Sequence, residues 1–298
     1  MDMPIDNRDG DLEVINGVTF THRFARASGL NWHYAEAGST SAEPIVFLHG
    51  APESWYSWHY QMEGLASQYR PIALDMKGYG QTDKPDESYA VTFIAQQVSE
   101  LLATIGLKKY NLVSHDWGTM VADPLASLDR SKILRYLRME GWVLVQDKKN
   151  VPHVARWKQD QSEPIALMGN AGQFVRMIYK NTTVKPVPEH DLLRIISEFS
   201  RSGVALAVPR YFRDLDLGIG SGEGLQRREE MFARMTFPVL LLQAENDPLQ
   251  PQSIFKDAEN AFPNAVLRWV TGSGHFTELE QPDQVTRAMR DFIVHTPL

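Results

Sequence analysis

The chain has 298 residues, 43% of them apolar and 22% charged, enough for a sizeable core and too apolar for a disordered chain. Lys and Arg number 30 against 37 Asp and Glu, a formal charge of -7 with the basic residues scattered, which argues against nucleic acid as a partner. There is no cysteine, so a disulfide, a thiolate metal site and a Cys nucleophile are all excluded.

The opening MDMPIDNRDGDLEV is acidic and polar, unlike a secretory signal, and no apolar run approaches the ~20 residues of a membrane span. A cytoplasmic protein with no membrane partner is expected. Residues 20–27 and 30–37 read as strands joined at Ser28-Gly29. The continuous apolar runs at 44–48, 72–74, 110–113 and 239–242 suit strands buried on both faces of a parallel sheet. Helix-length segments at 54–66, 93–105 and 118–128 lie between them. This alternation predicts an α/β fold with a mostly parallel sheet flanked by helices, whose ligands bind beyond the carboxyl ends of the strands. Strand-like runs vanish over 143–224, which predicts an inserted helical cap between core segments 1–142 and 225–298. The stretch GIGSGEG, 218–224, reads as a connector.

NLVSHDWGTM, 111–120, places Asp116 between a buried strand and a helix in a small-x-nucleophile-x-small pattern, with Ser114 and Gly118 as the small residues. By itself Asp116 could equally cap the following helix. As a nucleophile, a carboxylate forms a stable alkyl ester only by attacking a saturated carbon with a good leaving group. HGAPESW, 49–55, follows an earlier strand, and its Gly50 lets the Ala51 N–H converge with that of Trp117 as an oxyanion hole. His275, in the Gly-rich turn of RWVTGSGHFTELEQP, is the candidate general base. His49 and His115 read as structural. Two acids could orient His275: Asp247 in QAENDPLQP, preferred for the nucleophile, acid, base order, and Glu140 in RMEGW. The histidines show no metal-ligand spacing and no strand carries a phosphate loop, so no metal and no cofactor are expected.

HGAPESWYSW, LDMKGYGQTDKP, SHDWG, AENDPLQP and GSGHF, in that order, resemble the α/β-hydrolase fold in its epoxide hydrolase and haloalkane dehalogenase branch, and are most similar to soluble epoxide hydrolases. The resemblance covers roughly 20–142 and 235–296. It implies Asp116 as nucleophile, His275 as base and Asp247 as acid, although some members of the branch carry the acid where Glu140 stands. It implies a small apolar epoxide or halogenated substrate. Dehalogenases of this branch hold halide with the Trp after the nucleophile and an Asn in the HGN turn; Trp117 matches, but Ala51 replaces the Asn. Epoxide hydrolases use cap tyrosines to open the ring, and Tyr179 in FVRMIYKN and Tyr211 in VPRYFRD are the candidates, with Phe212 where the family places Tyr before Arg. Trp55, Trp58, Trp117, Trp142 and Trp157 are expected near an apolar pocket. The expected activity is epoxide hydrolysis through an Asp116 ester, the alternatives being dehalogenation and a non-catalytic ligand-binding protein.

Overall fold

The computed structural model describes residues 4–144, 152–216 and 222–297. The chain opens with β1 (Leu12–Ile15), β2 (Val18–Ala27) and β3 (Leu30–Glu36), an antiparallel meander. Ser28 and Gly29, both at positive φ (50° and 77°), close the β2–β3 turn, the geometry that matches strand twist in a two-residue hairpin. β4 (Pro44–Leu48) leads through a 3-10 turn at Trp55–Trp58 into α1 (His59–Leu65), then come β5 (Arg70–Leu74), α2 (Val91–Thr104), β6 (Tyr110–His115), α3 (Trp117–Leu128) and β7 (Ile133–Met139).

Between β7 and the next strand every described element is helical: α4 (Pro152–Gln159), α5 (Ser162–Met168), α6 (Ala171–Thr182), α7 (Glu189–Phe199), α8 (Val204–Ala207), α9 (Pro209–Arg213) and α10 (Gly222–Ala233). The last of these packs against α3. Most of the 218–224 connector lies outside the described residues. The chain then returns to the sheet with β8 (Val239–Ala244) and β9 (Ala265–Val270), and closes with α11 (Thr277–Glu280) and α12 (Pro282–His295).

The nine strands form one sheet in the order β1-β2-β3-β5-β4-β6-β7-β8-β9, parallel from β5 to β9. β6 and β8 are buried at every residue, as expected of strands covered on both faces, whereas β9 at the edge is largely exposed along its length. Chain order reverses between β4 and β6, so the loops leaving their carboxyl ends diverge and open a crevice. His49, Gly50 and Ala51 leave β4 at this point, and Asp116 leaves β6.

Candidate active site

Asp116 has φ 48° and ψ −119°, a conformation that costs a non-glycine residue on the order of 1–3 kcal/mol and persists only where its surroundings hold it. Its side chain makes no capping bond to α3, which disposes of the simple N-cap role. Space around the turn explains the small residues. A Cβ on Gly50 would lie 2.5 Å from that of Asp116, and one on Gly118 would collide with the Leu48 carbonyl oxygen. Ser114 is buried, its hydroxyl shared with Thr119 and Tyr136.

The Ala51 N–H donates to Asp116 Oδ2 at 3.0 Å. Trp117 opens α3, so its N–H has no intrahelical acceptor. Asp116 Oδ1 lies 3.7 Å from His275 Nε2, and the Asp116 side chain is 19% exposed while that of His275 is 3% exposed. Burial works against the Asp116 charge, but the contact and charge of His275, the charge of His115 and the Ala51 N–H outweigh it and hold the carboxyl below its ordinary range.

Of the two acids, Asp247 reaches the base: His275 Nδ1 donates to its Oδ2 at 2.7 Å. Glu140 lies alongside but is used differently. Its Oε1 accepts from the Ala244 N–H at 2.9 Å and the Thr277 hydroxyl at 2.8 Å. Burial pushes the Glu140 pKa up to about 8, against the charges of His115 and His275 and with that of Asp247. For His275 too burial opposes the charge, yet Asp247 and Asp116 together raise its pKa well above the usual imidazole value.

Both remaining histidines of the motifs are structural, as their positions suggest. His49 Nδ1 pairs with the Gly50 carbonyl and its Nε2 accepts the Met76 N–H. His115 bonds Glu53 through Nδ1 and the backbone carbonyl of His275 through Nε2.

The cap residues are placed less simply. Tyr211 is buried, with its ring 5.6 Å from that of Trp117, but its hydroxyl donates to the Lys77 carbonyl at 2.7 Å. Tyr179 stacks flat on Phe276 at 3.9 Å. Its hydroxyl has no partner, and the carboxylates acting on it are those of Glu53, Glu278, Asp191 and Glu280 rather than Asp116. Phe212, in the place expected for a tyrosine, packs edge-on to both Trp117 and Trp157.

Two tryptophans are not where an apolar pocket would use them. Trp55 packs on Phe20 and His22, and Trp58 on Phe47, because the 3-10 turn directs them under the sheet's first strands. Trp142 lies beneath the Arg228 guanidinium. One residue escaped the sequence reading. His153 on α4 touches Trp157 and Phe212, and the charge of Asp116 acts on it while burial lowers its pKa. Its only sequence signal was a histidine four residues before a tryptophan in the cap, too little to single it out.

Residues 43–146 match the alpha/beta hydrolase fold family, and residues 222–297 match the TAP-like protein family. Epoxide hydrolase 2 of Caenorhabditis elegans is 24% identical over 92% of this chain and 80% of its own length. Epoxide hydrolase 4 of Homo sapiens is 42% identical over 106 residues, 34% of this chain and 29% of that protein. The haloalkane dehalogenase DbeA from Bradyrhizobium elkanii, a loop variant, superposes with a TM-score of 0.79 at 22% identity, covering 93% of this chain and 97% of that one. Among the described residues, no helix is long and apolar enough to cross a membrane. The chain is an α/β-hydrolase-fold enzyme whose similarities lie in the branch that holds the epoxide hydrolases and haloalkane dehalogenases.

Proposed function

We propose that the protein opens a small apolar epoxide to a vicinal diol in two steps, with Asp116 as nucleophile. The observation that carries this reading is a carboxylate on the strained turn, one oxygen held by the Ala51 N–H and the other facing His275. Asp116 Oδ1 attacks an epoxide carbon, the ring C–O bond breaks, and the departing oxygen takes a proton from the cap. Oδ2 stays on the Ala51 N–H and becomes the oxyanion when water adds to the ester carbon, with the Trp117 N–H as the second donor. His275, held by Asp247, takes the proton of that water, and collapse of the adduct releases the diol.

For the leaving oxygen we assign Tyr211 and His153. The Tyr211 hydroxyl now donates to the Lys77 carbonyl, so giving up its proton requires that hydrogen bond to exchange for one to substrate. His153, whose pKa burial lowers, can hydrogen-bond the departing oxygen through its N–H while the proton itself comes from Tyr211. Tyr179 is set aside for this role because its hydroxyl is among Glu53 and Glu278. Dehalogenation is the second reading, favoured by the Trp117 indole beside the nucleophile; Ala51 in the HGN position weighs against it, because a methyl group offers halide no donor.

The deciding experiment is a single turnover in 18O water on parallel epoxide and haloalkane panels. After the first turnover one 18O in Asp116 and an unlabelled diol are expected, and in later turnovers that label passes from Asp116 into the diol. Tyr211→Phe and His153→Ala should each slow alkylation at least tenfold, typical of a lost proton donor, with Trp117→Phe milder. Halide release, insensitive to both donors but lost in Trp117→Phe, would transfer the assignment to dehalogenation.

A further inference from the structure

Behind the triad lies a cluster that the two-step reaction does not use. Glu53, His115 and Glu278 are all buried, with polar atoms within 4.8 Å of one another. Glu53 Oε2 is well supplied, accepting from the Gly50 N–H at 2.8 Å and His115 Nδ1 at 2.9 Å. Among the described residues, Glu53 Oε1, Glu140 Oε2 and both oxygens of Glu278 have no hydrogen-bond partner. Glu278 Oε2 is 3.8 Å and Glu140 Oε2 3.7 Å from His115 Nε2, but that nitrogen is already spent on the His275 carbonyl at 2.8 Å.

Three carboxyls around one imidazole, all buried, cannot all be ionised, since burying an unpaired charge is strongly unfavourable. A cation is one remedy and a proton is the other. Both His115 nitrogens are occupied, so a metal would have to break the bond to Glu53 or the bond to the His275 backbone. A proton breaks nothing: placed on Glu278 it gives that carboxyl a donor for Glu53 Oε1, satisfying two of the four idle oxygens.

We propose that Glu278 and Glu53 are a buried acid pair sharing one proton, and that through His115 this pair positions the turn carrying His275. The chain of bonds runs from the Glu278 carboxyl to Glu53, on to His115, and from His115 Nε2 to the carbonyl of His275, three residues before Glu278. It closes on itself and braces the first residues of α11 and the base together. The direction of each titration agrees. Burial and the charge of Glu53 raise Glu278 well above the ordinary carboxyl, while burial is outweighed at Glu53 by the charge and hydrogen bond of His115, which hold it low. The charge of Glu53 likewise keeps His115 cationic despite burial. Other groups facing the cluster are Glu140, His49, the His275 ring at 5.1 Å and the idle Tyr179 hydroxyl. Glu278 is thus a positioning residue, acting on the base through its backbone.

The effect on turnover rests on the epoxide hydrolase reading; the shared proton does not. Infrared spectra of the wild type and Glu278→Gln in D2O at neutral pH should differ by the loss of a carboxylic acid carbonyl band. Loss of a carboxylate band instead, or a stoichiometric divalent cation retained through dialysis and seen by elemental analysis, would overturn the pair. With an epoxide that alkylates Asp116, Glu278→Leu should slow ester hydrolysis about tenfold and leave alkylation within about twofold, whereas Glu278→Gln, an uncharged donor, restores hydrolysis with an unshifted pH profile. Wild-type hydrolysis in Glu278→Leu, or no rescue by Gln, would overturn the positioning role. Should the Leu variant not fold, the infrared comparison and the Gln profile still decide. If no epoxide forms an ester, it is the functional reading that fails, and the infrared comparison still stands.

Discussion

At the scale of single residues, the charge on Asp116 and the proton on His275 are two sides of one interaction. Asp247 and Asp116 together hold His275 protonated beyond its ordinary range, which a general base cannot tolerate. In the proposed mechanism an ester on Asp116 removes one of those two anions, so forming that intermediate would free His275 to act as base. Asp116→Asn, a neutral analogue of the ester, should therefore lower the His275 pKa, measurable by NMR titration of the imidazole; an unchanged pKa would refute the coupling. The same logic separates the steps. His275→Gln should leave alkylation intact and trap an adduct visible by intact-protein mass spectrometry, because only hydrolysis needs the base. Asp247→Asn should slow hydrolysis far more than Glu140→Gln, since Asp247 alone bonds Nδ1, and the opposite ranking would move the acid to the end of β7.

Among the elements, the first turn of α7 joins the helical segment to the core. Asp191 is fully buried there, and its two oxygens accept the hydroxyls of Tyr56 and Tyr60 at 2.8 Å each. Nearby Arg194 reaches Glu13 of β1 at 2.7 Å, and Arg201 reaches Asp6 at 2.7 Å. The exposed partner makes the last pair weak, whereas Asp191 is a buried acceptor serving two donors. Asp191→Ala strands both phenols and should cost about 2–4 kcal/mol, read as a lower midpoint in urea, and should raise KM more than it lowers kcat if α7 loosens over the site. The elbow obeys a stricter rule. Gly118→Ala drives a methyl into the Leu48 carbonyl, backbone that cannot rotate away, so α3 must shift from β4 and carry Asp116 with it.

For the whole molecule, the buried carboxyl of Glu140 gives stability a direction with pH. Its folded pKa of about 8 lies above the 4.5 of an ordinary glutamate, so the native state holds a proton that the unfolded chain releases. That contribution is complete below pH 4.5 and is lost as pH rises to about 8, a window worth up to a few kcal/mol after coupling to its neighbours is discounted. Thermal unfolding of the wild type should thus weaken between pH 5 and 9 more than that of Glu140→Gln. A parallel pH dependence in the two proteins would show that the proton is held elsewhere.

The sequence by itself determined the α/β alternation and the elbow, because both rest on local sterics. Buried parallel strands need continuous apolar runs, and a turn as tight as that at Asp116 admits only small flanking residues, whatever lies elsewhere. Asp247 and Glu140 looked interchangeable along the chain, since each follows a strand. Only the neighbouring placement of β7 and β8, with Thr277 and the Ala244 N–H consuming Glu140, decided between them. In the cap, Tyr211 is drawn to the Lys77 carbonyl and Tyr179 to Phe276, while His153 arrives beside the site from a helix with no telling motif. Hydrogen bonds choose partners over tenths of an ångström, whereas periodicity places a side chain only to a face. The residues that meet at the site were therefore legible in the sequence, and the hydrogen-bond partners each one takes there were decided by the folded structure.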